Sequence, residues 1–375
     1  MLSASLPSAL GGAERQCWLL SEWLAGAGVP VAVLARAGQR GVAPPRAPFP
    51  IHRLRVGGGE RLAGLGYALA GACWLAARRA RGGILHAHQA LSPALAAVLA
   101  KRLRPSYRVV VKIACSGDWS DFRLAQARPF YRSRLALLRA VDRFVVLNRE
   151  SVAELEAVGL GGVPTCLIPN GVDTRRFAPA TTPERRAIRV SLGLLADEPI
   201  ALFVGRLGRQ KGLDLLLTAW AEMVRRPAPP RLLIVGPGEA ENWIGQARAL
   251  GLERWVSFLG GREDVANLYR AADLFVFPSR AEGCPNAVLE AMASGLPVVA
   301  TNVAGNRETV GEDTRAGWLV PAEDPMALAE VVRTVVASPD LRQKVGARAR
   351  EVAEERFAIH RVGAQYLSLY EELTG

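Results

Sequence analysis

The sequence predicts an α/β protein made of two doubly wound domains. Apolar runs that suit strands alternate with helical patterns along the whole chain, at spacings typical of βαβ units. The strand-like runs are continuously apolar, which indicates parallel strands buried on both faces. A chain of 375 residues is also longer than a single core usually becomes, about 250–300 residues. Two facing domains of this class form a cleft at the carboxyl ends of their strands, where ligands bind.

The elements divide the chain at residues 178–189, a stretch rich in Pro, Thr and Arg that is typical of a linker. We therefore predict one domain over residues 1–177, a second over residues 178–356 and a C-terminal helix over residues 357–375. Strands are predicted at 29–34, 84–87, 108–114, 143–147 and 165–168, and then at 200–204, 231–235, 256–259, 274–277 and 297–300. Helices separate them, and those of the first half are predicted at 13–25, 61–79, 93–102, 127–140 and 150–158.

The first strand departs from this pattern. Ahead of the Gly11-Gly12 pair that opens the first helix, only residues 1–6 are available for a strand, and Ser3 and Ser5 interrupt their apolar character. Either the first strand is short or upstream residues are absent from this sequence, and we favour the second explanation.

Composition limits the class of protein. Half of the residues are apolar and 22% are charged, which indicates a globular chain. The five cysteines are scattered and odd in number, so we predict neither a disulfide framework nor a structural zinc site, and we expect a reducing, cytoplasmic location. The first residues lack the basic start and the long apolar run of a signal peptide.

Residues 281–301 contain two glutamates, Glu282 and Glu290, on either side of a turn and a helix start. Asn286 is the predicted N-cap of this helix, and Gly295 is the predicted C-cap. The free N–H groups and the positive end of the helix dipole then lie just behind Glu282, where an anion binds well. Glu290 is placed to accept hydrogen bonds from a vicinal diol such as a ribose. The alternative is a surface loop followed by a routine helix.

Two basic residues follow the predicted strand at 200–204. Arg206 comes directly after Gly205, and Lys211 lies five residues further along. A guanidinium and an ammonium at the carboxyl end of a strand can clamp a diphosphate and stabilise it as a leaving group. The alternative is a pair of solvated loop charges. Gly11-Gly12, beside a helix start, predicts a second phosphate contact, with an ordinary loop as the alternative.

Glycines also close the strands at 231–235 and 256–259, where Gly236 and the Leu259-to-Arg262 segment are predicted to form backbone walls around a nucleobase. The sequence contains no Asp-x-Asp pair, no HExxH and no Cys/His cluster, so no metal cofactor is predicted.

Seven segments together resemble family 4 of the retaining glycosyltransferases, which have the GT-B fold of two facing Rossmann-like domains. In chain order they read GGAER (11–15), LHAH (85–88), IPNGVD (168–173), VGRL and QKG (204–212), VGPGE (235–239), FLGG (258–261) and EGCPNAVLEAMASGLPVVAT (282–301). The resemblance covers nearly the whole chain. It implies that the C-terminal helix crosses back to pack on the first domain.

The resemblance also implies roles for individual residues. Glu290 binds the ribose, Arg206 and Lys211 hold the diphosphate in place of a metal ion, and Glu282 contacts the transferred sugar. Family members transfer a sugar from a nucleotide donor with retention, by a front-face attack in which the leaving phosphate takes the proton of the acceptor. The implied donor-binding residues are Gly11, Gly12, Gly205, Arg206, Lys211, Gly236, Leu259, Arg262, Glu282, Gly283, Cys284, Asn286, Ala287, Val288 and Glu290.

The sequence departs from the family on the acceptor side. Family members often carry a histidine after the strand that here ends near Ala114, and no histidine follows it. Asp118 or Asp121 is predicted to take that role, or the role is absent. His86 and His88 are further candidates for acceptor binding, although a packed or solvent-facing histidine is the more common case.

The formal charge of +12 is concentrated in the first half. Residues 1–180 contain 24 Lys and Arg against 10 Asp and Glu, whereas residues 181–375 contain 23 against 25. Arg128, Arg132 and Arg139 share a face of the helix predicted at 127–140, and such a helix can lie on anionic lipid. An Arg-rich surface helix without a partner is an equal alternative. No nucleic-acid partner is predicted, because no recognition motif accompanies the charge.

The sequence thus predicts a metal-independent retaining glycosyltransferase that uses a nucleotide sugar, with UDP- and GDP-sugars favoured, and a lipid-linked or growing glycan as acceptor. We expect it in the cytoplasm, with peripheral contact to the inner face of the membrane. Two alternatives remain: another GT-B activity such as sugar-nucleotide epimerisation, and a non-catalytic sugar-nucleotide-binding protein.

Overall fold

The computed structural model describes residues 1–5, 11–37, 46–56, 60–78, 82–126, 130–227, 229–311 and 315–375. The chain forms two compact units. One comprises Met1–Gly171 and Ile359–Gly375, and the other comprises Val172–Ala358. Each unit is built on a parallel sheet with helices between its strands, so the predicted α/β class with two doubly wound domains is confirmed.

The first unit has a sheet of seven strands in the order β3-β2-β1-β4-β5-β6-β7, and all of its recorded pairings are parallel. The strands are β1 (Leu2–Ser3), β2 (Val33–Arg36), β3 (Ile51–Leu54), β4 (Gly83–His88), β5 (Tyr107–Lys112), β6 (Arg143–Val146) and β7 (Thr165–Leu167). The helices are α1 (Gly12–Gly26), α2 (Glu60–Ala77), α3 (Ser92–Leu103), α4 (Asp121–Gln126), α5 (Tyr131–Leu138) and α6 (Glu150–Ala157).

The second unit has six strands in the order β10-β9-β8-β11-β12-β13, again all parallel. The strands are β8 (Ile200–Val204), β9 (Arg231–Val235), β10 (Val256–Phe258), β11 (Leu274–Phe277), β12 (Val298–Thr301) and β13 (Gly317–Val320). The helices are α7 (Thr182–Ser191), α8 (Leu213–Met223), α9 (Ala240–Ala249), α10 (Val265–Ala271), α11 (Asn286–Ala293), α12 (Ala304–Val310), α13 (Pro325–Ala337) and α14 (Pro339–Val352). The strand order reverses between β8 and β11, and ligands of such sheets bind at that point beyond the carboxyl ends of the strands.

The last helix, α15 (Ile359–Thr374), belongs to the first unit. Its buried side chains, among them Tyr366 and Tyr370, share a core with Leu20 and Leu24 of α1 and with Val110 of β5. A side chain at Gly363 would overlap the ring of Trp23, at 2.2 Å, so a glycine is needed for this close approach.

The predicted linker at residues 178–189 is wrong, because most of it is the helix α7. Thr181 and Glu184 form a capping box at its start, in which the Thr181 hydroxyl accepts from the Glu184 N–H and the Glu184 carboxylate accepts from the Thr181 N–H. Arg189 is buried, and it donates to Asp273 at 2.7 Å in the second unit. The units instead meet in sequence at residues 171 and 172, a few residues before the predicted boundary at 177.

The sequence pattern missed two edge strands, β3 and β13. Each has a neighbour on one side only. His52 and Arg53 interrupt the apolar pattern of β3, whereas the short run Gly317–Val320 of β13 is apolar and was overlooked. The helix predicted at 61–79 ends at residue 79, and the helix predicted at 127–140 begins with residues 127–129. These residues, which include Arg128, lie outside the described part of the chain. Across the described part of the chain, no helix has the length and apolar character that crossing a membrane requires.

Candidate functional site

The loops that follow β8, β9, β10 and β11 pack closely at the carboxyl edge of the second sheet. The Gly236 N–H donates to the Gly260 carbonyl at 2.8 Å. A side chain at Gly236 would lie 1.8 Å from the Gly205 oxygen, and one at Gly212 would lie 1.9 Å from the Pro278 oxygen. Both glycines have positive φ, so these positions require glycine for backbone shape and for space. The strands therefore bring together most of the predicted donor-binding segments.

Lys211 and Glu282 form a largely buried ion pair where the strand order reverses. Lys211 ends a short 3₁₀ turn after β8, and its Nζ lies 2.5 Å from Glu282 Oε1. The side chains are 17% and 8% exposed. Ser279, which follows β11, donates from its hydroxyl to the same Glu282 oxygen at 2.5 Å. The sequence predicts that Lys211 and Glu282 contact the same ligand. The structure shows that the two side chains also contact each other.

Arg206 has a different environment. Its side chain is exposed, just beyond the carboxyl end of β8, and no hydrogen bond or ion pair joins its guanidinium to any residue that the structure describes. Buried or half-buried arginines of this unit are paired, as Arg189 and Arg280 are with acidic side chains. Arg206 is therefore a cation available to a ligand at the edge of the site.

Glu290 lies in the second turn of α11 and is 7% exposed. The hydroxyl of the fully buried Tyr269 lies 3.0 Å from Glu290 Oε2 and 3.1 Å from the Ala287 carbonyl. Tyr269 thus fixes the orientation of this carboxylate.

Two predictions about the ends of α11 need correction. Pro285 is the N-cap and Asn286 is the first helical residue, because the backbone turns into the helix one position earlier than expected. The Val288 N–H donates to the Pro285 carbonyl within the first turn, so this amide is not available to a ligand as predicted. At the other end Gly295, with φ +73°, lies one position past the C-cap. It donates to Met292 in a Schellman motif.

The other predicted donor-binding residues of this unit vary in accessibility. Arg262 donates to Asp264 at 2.6 and 2.8 Å, and these hydrogen bonds raise the pKa of the guanidinium. Cys284 is buried, and the Thr309 hydroxyl lies 3.7 Å from its sulfur. Gly283 is buried as well, whereas Leu259 and Ala287 are half-buried.

In the first unit, Gly11 is the N-cap of α1 and Gly12 is its first residue. The carboxylate of Glu14 folds back over this end, since a side chain at Gly11 would lie 1.8 Å from Glu14 Oε2. The positive end of α1 therefore already faces an anion of its own chain. A phosphate at Gly11 and Gly12 would have to displace or rotate that carboxylate.

His86 and His88 are core residues, each 1% exposed. Their rings stack at 4.3 Å, and His86 Nδ1 lies 2.6 Å from the Tyr370 hydroxyl on α15. Burial first, and then the positive charge of Lys112, hold the pKa of His86 well below its usual value. Neither imidazole is accessible, so we no longer propose them as acceptor-binding residues.

The two aspartates near Ala114, Asp118 and Asp121, differ in their exposure to solvent. Asp118 is exposed in the short turn Gly117–Trp119. Asp121 is 3% exposed, and it accepts from the Ala90 N–H at 2.8 Å and the Ala114 N–H at 3.4 Å. Burial raises the pKa of Asp121 to about 6, against these hydrogen bonds. Asp121 therefore holds two loops in place, and of this pair only Asp118 remains a candidate.

Sequence reasoning missed Ser279 and Tyr269, which hold the two glutamates. Ser279 follows an apolar strand at the ligand-binding edge, as Arg206 does. The same sequence pattern could therefore have predicted Ser279 as a site residue. Tyr269 gives no such signal, because it lies within α10 and meets Glu290 only through the fold. No group of three or more His, Cys, Asp or Glu side chains suited to a metal ion occurs in the ranges that the structure describes.

Two family models match the chain. Glycosyltransferase Family 4 matches residues 10–176, and Glycosyl transferases group 1 matches residues 184–352.

Curated relatives carry related names. A D-inositol 3-phosphate glycosyltransferase of Saccharomonospora viridis is 36% identical over 214 residues, which is 54% of this chain and 48% of the relative. A GDP-mannose-dependent monoacylated alpha-(1-6)-phosphatidylinositol monomannoside mannosyltransferase of Corynebacterium glutamicum is 32% identical over 213 residues, 54% of this chain and 55% of the relative. The matches span about half the length of these relatives.

Two solved structures match nearly the whole chain. Sucrose-phosphate synthase from Thermosynechococcus elongatus has a TM-score of 0.81 at 25% identity, covering 99% of this chain and 98% of that one. Anabaena HepE in complex with UDP-glucose has a TM-score of 0.81 at 20% identity, covering 99% of both chains, and at that identity the likeness concerns the fold alone.

Proposed function

The chain belongs to the group 1 and family 4 glycosyltransferases of the GT-B fold, and on that premise we propose that it transfers a sugar from a nucleotide diphosphate to an acceptor hydroxyl. The observation that carries the proposal is the carboxyl edge of the second sheet. There an accessible cation, Arg206, lies in the same loop as Lys211, which pairs with Glu282. We propose this edge as the donor site.

The donor contacts follow from the chemistry of each group. Arg206 and Lys211 supply positive charge to the diphosphate, and Glu290 accepts hydrogen bonds from the ribose hydroxyls. Glu282, held by Lys211 and Ser279, faces the transferred sugar. Gly11 and Gly12 are proposed to bind a phosphate at the start of α1, once the Glu14 carboxylate has moved.

The proposed reaction proceeds with retention and without a protein base. The bond between the anomeric carbon and the diphosphate oxygen breaks as the acceptor oxygen bonds to the same face of that carbon. The acceptor proton passes to the leaving diphosphate, and the two basic side chains stabilise the negative charge that develops there. No metal is required in this scheme, because Arg206 and Lys211 provide the counter-charge.

For the acceptor we propose a lipid-linked or growing glycan. One named relative is a phosphatidylinositol mannoside mannosyltransferase, and the first half of this chain is strongly basic. Leu124 and Phe130 are exposed, at 48% and 70%, near the basic residues Arg123 and Arg132. This combination suits peripheral contact with an anionic membrane on the cytoplasmic side.

A turnover screen tests the proposal. The full chain is incubated with UDP-, GDP- and ADP-sugars, with and without lipid-linked acceptors in anionic or neutral vesicles, and released nucleoside diphosphate is measured. We expect one donor class to raise Tm by mass action and to release nucleoside diphosphate when acceptor is added, most rapidly on anionic vesicles.

Binding of a donor without release of nucleoside diphosphate, with every acceptor and with water, would contradict the enzymatic proposal and favour a sugar-nucleotide-binding protein. Release that is equal on both vesicle types would remove the membrane contact and leave the enzyme in place.

A further inference from the structure

Arg280 lies in the loop after β11, two residues before Glu282, and its side chain is 13% exposed. All five N–H groups of its guanidinium have an acceptor. Two donate to Asp214 at 2.7 and 2.9 Å, two donate to Glu323 at 2.6 and 2.8 Å, and one donates to the Arg209 carbonyl at 2.6 Å. A guanidinium has only five such groups, so Arg280 has none left for a ligand.

These acceptors join the loop of Arg280 to two other connections at the carboxyl edge of the second sheet. Arg209 and Asp214 lie between β8 and the first turn of α8, and Glu323 lies between β13 and α13. Glu323 has φ +62°, a left-handed conformation that is unfavourable for a residue with a side chain. Its two charge-assisted hydrogen bonds with Arg280 offset that cost.

The 3₁₀ turn that Arg280 holds is the turn that carries Lys211. The Arg280 guanidinium donates to the Arg209 carbonyl, and the Arg280 backbone N–H donates to the Gln210 carbonyl at 2.8 Å. These two acceptors directly precede Lys211, whereas Glu282 follows Arg280 by two positions. Arg280 therefore holds the backbone on both sides of the Lys211–Glu282 ion pair.

The charge of Arg280 does not suit direct binding of an anion. Two carboxylates, those of Asp214 and Glu323, surround one guanidinium, so its positive charge is fully balanced within the cluster. Hydrogen bonds to Asp214, and then to Glu323, raise the pKa of Arg280 above its usual value, which keeps the cluster charged at neutral pH. An effect of Arg280 on a bound diphosphate would therefore pass through Lys211 and Glu282.

We propose that Arg280 is a positioning residue, which holds Lys211 and Glu282 next to each other at the donor. The inference rests on the proposed function, in which Lys211 stabilises the leaving diphosphate. A displacement of about 1 Å at such a group can lower the rate about 10²-fold. The loss falls on kcat more than on KM, because Lys211 acts on charge that develops in the transition state.

Arg280→Ala tests the inference, and Arg231→Ala is its matched control. Arg231 also pairs with a carboxylate, Glu198 at 2.9 Å, but it begins β9 at the amino edge of the same sheet. Both variants should lower Tm, since each loses a partly buried ion pair. Only Arg280→Ala should lower kcat with the donor that the unmodified chain uses, about 10–100-fold, with KM changed less than about threefold.

The double variant Lys211→Met with Glu282→Gln supplies a second background for the same substitution. If Arg280 acts through this ion pair, adding Arg280→Ala to the double variant should change kcat less than about twofold. An equal fall of kcat in both backgrounds would overturn the proposal. Equal values of kcat for Arg280→Ala and Arg231→Ala would overturn it as well.

Hydrogen exchange separates this inference from the proposed function, because it needs no turnover. The Lys211 amide bonds to the Gly208 carbonyl, and the amide of residue 280 bonds to the Gln210 carbonyl. Arg280→Ala should speed exchange at both amides about tenfold or more, and Arg231→Ala should not. Faster exchange in a chain that turns over no donor would contradict the proposed function and still support the hold of Arg280 on the turn. Unchanged exchange would overturn the inference, whether or not the chain is an enzyme.

Discussion

Replacing Arg206 with alanine is expected to lower kcat/KM for the donor about 10²–10³-fold. The guanidinium is exposed and has no partner within the described chain, so its charge is available to the diphosphate. For the same reason its removal leaves no buried group unpaired, and Tm should change by no more than about 2 °C. Steady-state kinetics and thermal unfolding of the same preparation measure both quantities.

The matched control is Arg254→Ala. Arg254 is also exposed in the second unit, but it precedes β10 and lies at the amino edge of the sheet. We expect its activity and Tm to equal those of the unmodified chain. Equal losses in the two variants would mean that net charge, and not a donor contact, determines the rate.

Replacing Lys211 with alanine is expected to lower both activity and stability. The variant loses the second cation at the diphosphate, and it leaves the buried Glu282 carboxylate without its ammonium partner. Breaking a buried pair in this way costs about 3 kcal/mol or more. For a unit of this size that corresponds to a fall in Tm of about 6–12 °C.

The double variant Lys211→Met with Glu282→Gln separates the two roles of this pair. It retains similar side-chain volumes without charge, so most of the lost Tm should return. Turnover should stay at least about 10²-fold below that of the unmodified chain, because neither charge is present for the donor. Recovery of turnover together with Tm would show that the pair is only structural.

The sequence indicated where the charged side chains of the second unit lie, because their placement follows a simple rule. Arg206, Lys211 and Glu282 each follow an apolar strand, and in a parallel sheet all such positions meet at one edge. The contact between Lys211 and Glu282 was not predictable, because β8 and β11 become neighbours only through the strand order. Tyr269 was missed for a related reason, since its hydroxyl reaches Glu290 from another helix.

The first unit was harder to predict from sequence. His86 and His88 are polar residues, yet both are buried, and the Tyr370 hydroxyl that contacts His86 belongs to α15, 284 residues further along the chain. Their burial therefore depends on a long-range contact that periodicity does not report. Asp121 was similarly ambiguous, because a carboxylate that holds two loop amides and one that binds a ligand look alike in sequence.

The most direct test of the donor site is a titration that pairs Glu290→Ala with nucleotides lacking the ribose diol. UDP, GDP and ADP, each with its 2′,3′-dideoxy counterpart, are titrated into the unmodified chain and the variant. If Glu290 binds the ribose, removing the diol weakens binding to the unmodified chain about 10–100-fold, as expected for hydrogen bonds to a charged group. In Glu290→Ala the two forms should then bind alike, and the loss should be similar for every base. Independent, additive losses, or a loss confined to one base, would contradict the assignment of this edge as the donor site.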